Sequence, residues 1–347
     1  MVSLRRTVLL TGASGVVGSA LIPELRAHRV VALSHRRRPP GPVAQVHGDL
    51  TKPRLGLSRQ TYNTLTAQID TVVHCGAVTD FATGARETSE VNVRGTENVV
   101  HFAAEADALL IYVSSAFVAR IDTTRGQLGE TSADPVHYLT SKQAAEQKVR
   151  ESNVKAIIVR PSVVIGDSWS GQIARFQGLL ALAAAVLRNA MPLLPLNPDS
   201  RIDVIPQDVV AKAITALMHR GEYGGEYWLT AGPAAPVAGK LLDIVVKIGQ
   251  HRGIDVTRPR PVAPDMIDRL VRPVFISSLP PIARRRFDDM LAMTALFSAA
   301  QPFESSLNQI PGLRCPCESD LERAFAASVR YLAAAKRIET NLLEVGA

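Results

Sequence analysis

The stretch Thr7-Val-Leu-Leu-Thr-Gly-Ala-Ser-Gly-Val-Val-Gly18 decides the fold of this chain. A short apolar run, Thr7 to Leu10, leads directly into a glycine-rich turn, and a helical pattern follows from Val17 to His28. A strand, a turn of this kind and a helix form the first unit of a dinucleotide-binding sheet. The start of the helix offers unbonded N–H groups and a positive dipole to a pyrophosphate. The stretch therefore predicts a nucleotide-binding βα unit.

The three glycines of this turn have separate expected roles. Gly12 permits the tight turn, Gly15 lets the backbone approach the pyrophosphate, and Gly18 lets the helix pack close to the strand. Glycine-rich turns are common, and this one is made specific by its place between an apolar strand and a helix. We expect the cofactor to contact Gly12, Ser14, Gly15, Val16, Val17 and Gly18.

Apolar runs and helical patterns continue to alternate after this unit. Helical patterns cover about Asn92 to Ala106 and about Tyr138 to Ser152. Buried apolar runs between helices predict right-handed βαβ units, and so an α/β fold with a doubly wound, mostly parallel Rossmann sheet covered on both faces. The further predicted strands are Val30–Ser34, Val43–His47, Thr71–His74, Leu109–Ser114 and Lys155–Arg160.

The pattern becomes irregular after Pro161. A helix is predicted from Val209 to His219 and a late strand from Glu226 to Thr230. We predict a dinucleotide-binding Rossmann domain over residues 1–166, to which residues 201–231 return, and a smaller, mainly C-terminal substrate lobe. That lobe is expected to consist of residues 167–200 and 232–347.

Composition excludes several classes of protein. The 347 residues are 46% hydrophobic and 20% charged, which favours a sizeable core over disorder. The net charge of +7 is spread along the chain, with short clusters only at Arg36–Arg38 and Arg284–Arg286, and few aromatic residues lie among these charges. We interpret the charge as solvated faces, and we expect no nucleic-acid partner.

Cysteine content and hydropathy exclude further classes. Three cysteines argue against a disulfide framework, and Cys315-Pro-Cys317 is too tight for a zinc half-site, so no metal is expected. The apolar run Leu179–Leu187 is far shorter than the roughly 20 residues of a membrane span. No secretory leader pattern stands at the N-terminus. We therefore expect a cytoplasmic protein, with an apolar substrate channel as a further expectation.

The end of the second predicted strand distinguishes the two nicotinamide cofactors. An NAD site usually places an acidic residue there for the ribose 2′-hydroxyl. The chain instead has Ser34-His-Arg-Arg-Arg38, and arginine suits a 2′-phosphate through charge-assisted hydrogen bonds. We predict NADP(H), held first by Arg36 and next by Arg37. The alternative is a solvated loop.

Tyr138 and Lys142 stand four residues apart in a predicted helix, so their side chains share one face. An ammonium beside a phenol favours the phenolate, which predicts a lowered pKa for Tyr138. Such a tyrosine exchanges a proton with a carbonyl or hydroxyl oxygen while hydride moves. A tyrosine and a lysine four residues apart are common in proteins, so the interpretation of this pair depends on the rest of the sequence.

That context resembles the extended short-chain dehydrogenase/reductase superfamily over roughly residues 5–230. The resemblance implies that Asp49, with Leu50, lies at the adenine, and that Cys75, Gly76 and Ala77 line the cofactor. It also implies that Ser115 binds the substrate oxygen beside Tyr138 and Lys142, that Asn92 supports the active-site helix, and that Pro161 and Val163 meet the nicotinamide. The motifs are Thr11-Gly-Ala-Ser-Gly-Val-Val-Gly18, Gly48-Asp-Leu50, His74-Cys-Gly-Ala77, Asn92-Val-Arg-Gly-Thr96, Val113-Ser-Ser115, Tyr138-x-x-x-Lys142 and Arg160-Pro161.

Structural roles remain as alternatives for several of these residues. Asp49 suits a turn cap, Asn92 suits a helix N-cap, and Ser114 or Ser115 suits a strand-end hydroxyl. Cys75 is interpreted as a packed residue rather than a nucleophile, because no activating base is evident. His74 is interpreted as a structural residue at the end of a strand.

A narrower resemblance is to the thioester reductase and fatty acyl reductase (male-sterility) branch. It implies NADPH-dependent reduction of an acyl thioester, on CoA or a carrier protein, to an aldehyde or alcohol. The glycine common in the branch after the fifth strand is replaced around Ala119-Arg120. The motifs are His74-Cys-Gly-Ala-Val-Thr-Asp-Phe81, Arg160-Pro-Ser-Val-Val-Ile-Gly-Asp-Ser-Trp-Ser-Gly171 and Arg201-Ile-Asp-Val-Ile-Pro-Gln-Asp-Val-Val210.

Three alternatives stay open at this point. One is an oxidoreductase of the superfamily that acts on a free alcohol or ketone. Another is a nucleotide-sugar epimerase or dehydratase, in which Arg284–Arg286 would hold a diphosphate; the apolar Leu179–Leu196 segment suits an acyl chain better. The third is a non-catalytic NADP-binding regulator, which the presence of both Tyr138 and Lys142 disfavours. A homodimer is left open.

Overall fold

The structure is a computed structural model, and it describes most of the chain. The described residues are 5–81, 83–122, 135–262, 288, 291–294, 296–297 and 301–338. The predicted diphosphate clamp at Arg284–Arg286 lies outside them. Within the described residues, no helix combines the length and the apolar character needed to cross a membrane.

Seven parallel strands form the central sheet, which confirms the predicted Rossmann class. They run across the sheet in the order β3, β2, β1, β4, β5, β6, β10, so the strand order reverses between β1 and β4. Ligands of doubly wound sheets bind at the carboxyl ends of the strands beside such a reversal. The strands are β1 (Thr7–Thr11), β2 (Arg29–Ser34), β3 (Ala44–His47), β4 (Thr71–His74), β5 (Leu109–Val113), β6 (Ala156–Pro161) and β10 (Glu226–Leu229).

Two short parallel pairs stand apart from this sheet. β7 (Val163–Ile165) pairs with β9 (Val204–Pro206), and β8 (Leu193–Pro195) pairs with β11 (Arg260–Val262). β7 follows β6 almost at once, so it carries the chain from the sheet towards the second half of the molecule.

Helices cover both faces of the sheet because alternate strand residues point to opposite sides. Leu9, for example, packs in the core on one face, whereas Val8 and Leu10 pack in the core on the other. The helices are α1 (Val16–Glu24), α2 (Arg59–Thr66), α3 (Ala85–Ser89), α4 (Gly95–Glu105), α5 (Pro135–Arg150), α6 (Leu179–Leu187), α7 (Gln207–Arg220), α8 (Ala238–His251) and α9 (Glu318–Ala335).

The predicted strand ends agree with the structure to within one residue, but two helices differ. α1 ends at Glu24 rather than His28, because the chain turns at residues 25–28 to enter β2. The helix predicted from Asn92 is preceded by α3 and by a π-helical turn, Glu90–Arg94, that contains Asn92. Asn92 is therefore inside a helical segment, and its interpretation as an N-cap is wrong.

A third hydrophobic core lies outside the sheet, where α6, α8 and α9 pack against one another. Gly171 adopts a φ of +67°, and a Cβ there would lie 2.1 Å from the carbonyl oxygen of Ala327 on α9. The N–H of Gly166 donates to Ser328 Oγ on the same helix, at 3.0 Å. These contacts hold the loop after β7 against α9. The division of the chain into a cofactor domain and a substrate lobe stays a prediction.

The imidazoles of His28 and His219 form a pair that opposes protonation. Arg6 N–H donates to His28 Nδ1 at 3.1 Å, and the two Nε2 atoms are 3.0 Å apart. Burial, followed by the charge of a protonated His219, lowers the pKa of His28, and burial followed by Arg6 lowers the pKa of His219. Since the unfolded chain keeps pKa values near 6.5, it binds protons more readily than the folded chain below that pH.

We therefore expect the free energy of unfolding to decrease as the pH falls through about 6.5. The substitution His219→Gln removes one of the two titrating groups and should reduce that decrease between about pH 7 and pH 5. Urea denaturation at a series of pH values measures it. His101→Gln, at an exposed position on α4, is the matched control. An unchanged pH dependence in His219→Gln would show that the pair does not set the acid stability.

Candidate active site

The glycine turn after β1 is packed directly against the end of β4. Gly12 has a φ of +67°, and a Cβ on it would lie 2.6 Å from the backbone of Cys75 and Gly76. A Cβ on Gly18 would lie 2.2 Å from the carbonyl oxygen of Gly12. Both positions thus require glycine. Gly15 precedes α1 and contributes no side-chain cap, which leaves the first N–H groups of the helix free for an anion.

A chain of buried hydrogen bonds starts beside this turn. The N–H of Gly76 donates to Thr11 Oγ1 at 3.1 Å, and Thr11 Oγ1 lies 2.6 Å from His74 Nδ1. On its other side, His74 Nε2 lies 3.2 Å from Thr96 Oγ1, which donates to the carbonyl oxygen of Asn92 at 2.6 Å. Burial lowers the pKa of His74 to about 3, so the imidazole is neutral. These hydrogen bonds link β1 and β4 to the π-helical turn.

Asn92 continues this connection to α5. Its Oδ1 accepts the N–H of Val78 at 2.8 Å, and its Nδ2 donates to the carbonyl oxygen of Val78 and to Ser141 Oγ, at 3.0 and 2.9 Å. Ser141 in turn donates to the carbonyl oxygen of Tyr138 at 2.7 Å. Asn92 therefore connects the π-helical turn to α5, and its supporting role stays a prediction. Ser141 is a positioning residue that the sequence analysis missed, and its place inside the Tyr-x-x-x-Lys stretch was the available signal.

Ser115 and Tyr138 meet at the carboxyl end of β5. Burial raises the pKa of Tyr138, and the nearby Ser115 hydroxyl acts in the opposite direction. Ser115 is the N-cap of a short 3₁₀ helix, Ala116–Arg120, and its Oγ also accepts the N–H of Phe117 at 3.3 Å. Ser114 instead points into the protein, where its hydroxyl has no hydrogen-bond partner among the described residues. Of the two serines, Ser115 is the one in the site.

Lys142 is buried on the same face of α5. Its ammonium donates to the carbonyl oxygen of Val113 at 2.8 Å and lies 5.0 Å from the centre of the Tyr112 ring. Burial lowers the pKa of Lys142 to about 8, although Cys75 and Glu146 act in the opposite direction. The Lys142 ammonium is thus oriented by the last residue of β5.

The predicted lowering of the Tyr138 pKa is wrong for the side chains as they stand. Burial raises the pKa of Tyr138 to about 12, and the nearby Ser115 hydroxyl offsets only part of this effect. The physical reason is that a buried phenolate loses its hydration, while the Lys142 ammonium is bonded to Val113. Tyr138 is therefore a neutral phenol near neutral pH, and a neutral phenol is a proton donor.

The arginines after β2 lie at the carboxyl edge of the sheet, as the glycine turn after β1 does. Arg36 and Arg37 are exposed, and neither guanidinium forms an ion pair with a described residue. Asp49, just after β3, accepts both the N–H and the hydroxyl of Thr51, and its Oδ2 lies 3.9 Å from His35 Nε2. Although burial acts the other way, the Thr51 hydrogen bonds lower the pKa of Asp49. Asp49 thus caps its turn, and its adenine contact stays a prediction.

The remaining predicted cofactor residues also follow strand ends. Cys75, Gly76 and Ala77 come directly after β4, and burial raises the pKa of the Cys75 thiol to about 12. A protonated, buried thiol agrees with the interpretation of Cys75 as a packed residue. Pro161 ends β6, and Val163 begins β7. A Cβ on Gly76 would lie 2.7 Å from the Leu50 side chain, so Leu50 also borders this edge.

An ion-pair network holds α5 against the sheet. Arg160 on β6 forms two hydrogen bonds with Glu146 on α5, at 2.8 and 2.7 Å, and a third with Glu226 on β10, at 2.6 Å. Glu146 is almost fully buried. The Arg160-Pro161 motif thus fixes the helix that carries Tyr138 and Lys142, a function that only the three-dimensional contacts reveal.

The fold and site define an NAD(P)-dependent oxidoreductase of the extended short-chain dehydrogenase/reductase type. The family model described as male sterility protein matches residues 38–214, just over half of the chain. The chain belongs to this family.

Several curated proteins are similar to parts of the chain. A hybrid PKS-NRPS synthetase, pvhA, of Talaromyces variabilis is 29% identical in an alignment 231 residues long that covers 62% of this chain and 6% of that protein. L-2-aminoadipate reductase of Schizosaccharomyces pombe is 24% identical over 63% of this chain and 18% of its own length. A putative fatty acyl-CoA reductase, CG8306, of Drosophila melanogaster is 28% identical over 50% and 40%. The chain therefore spans less than half the length of each of these relatives.

Solved structures show the same fold at low identity. The terminal R domain of the myxalamid PKS-NRPS pathway has a TM-score of 0.67 at 21% identity, covering 99% of this chain and 93% of that one. The Bordetella bronchiseptica enzyme WbmG, in complex with NAD and UDP, has a TM-score of 0.67 at 17% identity, with 97% and 99% covered.

Since burial lowers the pKa of Lys142 to about 8, its positive charge is lost as the pH rises through that value. We expect kcat/KM for nicotinamide-dependent carbonyl reduction to decline above about pH 8, because kcat/KM reports the free enzyme. The substitution Lys142→Arg should remove this alkaline decline from the measured range, whatever its effect on the maximal rate, because a guanidinium stays protonated.

The matched control for this pH profile is Lys148→Arg, which changes an exposed lysine of the same helix. The control should keep the alkaline decline of the wild type. A decline that persists unchanged in Lys142→Arg would assign the titration to another group.

Proposed function

We propose that this protein uses NADPH to reduce an acyl thioester, carried on CoA or on a carrier protein, to an aldehyde or an alcohol. The observation that carries the proposal is the proximity of the Ser115 hydroxyl to a neutral Tyr138 phenol at the carboxyl edge of the sheet. This pair offers two hydroxyl groups to one carbonyl oxygen, and one of them is a proton donor. The buried Lys142 lies behind them on the same helix.

The residues at the sheet edge fit a dinucleotide. Gly12 and Gly18 leave no room for a side chain beside the turn, and α1 begins without a side-chain cap. The free guanidinium groups of Arg36 and Arg37 favour NADPH over NADH, because a 2′-phosphate supplies the anion that they lack. The cofactor-binding set named from the sequence is part of this proposal.

The chain's own residues perform the proton chemistry. Bound NADPH supplies the hydride. Ser115 and Tyr138 hold the acyl oxygen, and the Tyr138 phenol gives it a proton as the carbonyl carbon becomes tetrahedral. Collapse of this hemithioacetal breaks the C–S bond, and the thiol leaves with a proton, which yields the aldehyde. Lys142 stabilises the phenolate left on Tyr138 until it is reprotonated. A second round on the aldehyde gives the alcohol.

The choice of a thioester is supported by the relatives. One is named L-2-aminoadipate reductase, another is named a putative fatty acyl-CoA reductase, and a similar structure is the terminal R domain of a PKS-NRPS pathway. We infer from these names that the acyl group reaches this chain on a thiol carrier. A nucleotide sugar is disfavoured, because the cavity lined by α6 and α8 is apolar.

Replacing the proton donor tests the mechanism directly. We expect Tyr138→Phe to lower kcat for an acyl-CoA by roughly a hundredfold or more, with NADPH binding retained. NADPH oxidation, with the products identified by mass spectrometry, measures the effect across acyl-CoA, carrier-bound acyl, ketone and nucleotide-sugar substrates. The control is Tyr223→Phe, at an exposed tyrosine. Wild-type rates in Tyr138→Phe would refute the assignment of Tyr138 as the proton donor. NADPH binding by the wild type without turnover of any substrate would favour a non-catalytic NADP-binding regulator.

The arginines after β2 determine the choice of cofactor in this proposal. We expect Arg36→Ala to raise the KM for NADPH on the order of tenfold, and Arg37→Ala to do so less, with the KM for NADH unchanged. Steady-state kinetics with both cofactors measures the ratio. Arg26→Ala, at another exposed arginine, should leave both KM values unchanged. Equal effects on the two cofactors would assign these arginines to the general charge of the surface.

A further inference from the structure

An apolar cavity lies in the third hydrophobic core, between α6, α8 and α9. The space free of protein atoms there is about 460 Å³ when the part open to solvent is included, and its walls come almost entirely from aliphatic and aromatic side chains. The exception is Thr294, whose hydroxyl already donates to the carbonyl oxygen of Leu291 at 3.0 Å. Such a wall suits a hydrocarbon chain and offers nothing to a charged or amide-bearing group.

Aromatic rings connect this cavity to the Ser115 turn. Phe297 forms part of the cavity wall, and its ring centre lies 5.8 Å from that of Phe117. Phe117 is two residues beyond Ser115, and its N–H is bonded to the Ser115 hydroxyl. The Tyr138 ring packs against the same hydrophobic core. The cavity and the proposed proton donor therefore share one continuous apolar surface.

Arg120 ends the short helix that Ser115 caps. One of its terminal guanidinium nitrogens has a hydrogen-bond acceptor, and the other has none among the described residues. The guanidinium carbon lies 3.7 Å from the centre of the Phe303 ring and 5.6 Å from that of Phe117. Its Nη2 donates to the carbonyl oxygen of Gln301 at 3.1 Å. Its Nη1 is buried and has no hydrogen-bond partner among the described residues. Burial lowers the pKa of Arg120 to about 10, so the group keeps its charge near neutral pH.

The nearest buried carboxylate does not supply the missing acceptor. Asp203 is close enough to favour the charged form of Arg120, but no ion pair joins the two described side chains. Its two oxygens accept the N–H groups of Ala231 and Gly232, both at 2.8 Å. Asp203 also follows Ile202, which lines the cavity. The Phe117 ring thus contacts both the Arg120 guanidinium and Phe297 of the cavity wall. A buried charged donor that lacks a hydrogen-bond partner is costly, and a ligand oxygen would remove that cost.

We propose that Arg120 Nη1 is a specificity determinant that binds an oxygen near the thioester end of an acyl chain whose remainder is hydrocarbon. The inference rests on the proposed reduction of acyl thioesters. The five-residue helix Ala116–Arg120 joins Arg120 to Ser115, so this proposal sets the bound oxygen a few carbons from the carbonyl and the apolar remainder in the cavity. The substrates it selects are acyl thioesters oxygenated at the β or δ carbon, rather than plain alkanoyl, aminoacyl or peptidyl thioesters.

Kinetics with matched substrates tests this. We expect the wild type to reduce β-hydroxyoctanoyl-CoA or its δ-hydroxy isomer with a kcat/KM on the order of tenfold to a hundredfold above that for octanoyl-CoA. Arg120→Met should remove the preference while it keeps the rate on octanoyl-CoA. Arg120→Lys keeps a charged donor and should retain part of the preference. Arg188→Met, at an exposed arginine, is the control and should behave as the wild type.

Binding separates this proposal from the reductase function itself. Thioethers of the same chains, with a methylene in place of the carbonyl, cannot be reduced, and calorimetry measures their affinity for each folded variant. Tighter binding of the hydroxylated thioether by the wild type, lost in Arg120→Met, supports the assignment even if no thioester is turned over. Equal binding of the plain and hydroxylated chains by the wild type overturns it, as does an equal loss for both chains in Arg120→Met.

Discussion

The buried imidazole of His74 is the contact on which the geometry of the site depends. Because Thr96 gives its hydroxyl proton to the carbonyl oxygen of Asn92, it receives a proton from His74 Nε2. His74 Nδ1 is then an acceptor for the Thr11 hydroxyl. This fixes one neutral tautomer, and burial keeps it by lowering the pKa of His74 to about 3. The glycine turn and the π-helical turn are thereby held in one register.

From this contact the hydrogen bonds run through Asn92 and Ser141 to the backbone of Tyr138. Each side chain in this series of hydrogen bonds is buried, so breaking one of the bonds costs more free energy than breaking a bond of an exposed side chain. Burial also sets the protonation of the reacting pair. It keeps the proton on Tyr138 and weakens the hold of Lys142 on its proton. Near neutral pH the site therefore combines a neutral phenol with an ammonium that is still mostly charged.

Sequence patterns predicted the parts of this site that are local in the chain. The spacing of Gly12 and Gly18 and the four-residue interval between Tyr138 and Lys142 each follow from one turn or one helix face. The pKa of Tyr138 was predicted with the wrong sign, because the spacing shows the neighbour on the helix but not the burial of the phenol. The bond from Arg120 to the Gln301 backbone joins residues 181 positions apart, and no local pattern predicts such a contact.

A stack of guanidinium groups and aromatic rings connects the sheet to the C-terminal part of the polypeptide. The Trp228 ring lies between the guanidinium of Arg160, 4.8 Å from its centre, and the ring of Phe303, 6.1 Å away. Phe303 in turn carries Arg120 on its face. Ser306 holds this segment in place by exchanging hydrogen bonds with the backbone of Trp228, at 2.8 and 2.9 Å. Because Arg160 also binds α5 through Glu146, this stack connects the helix that carries Tyr138 to the C-terminal segment that contains Phe303.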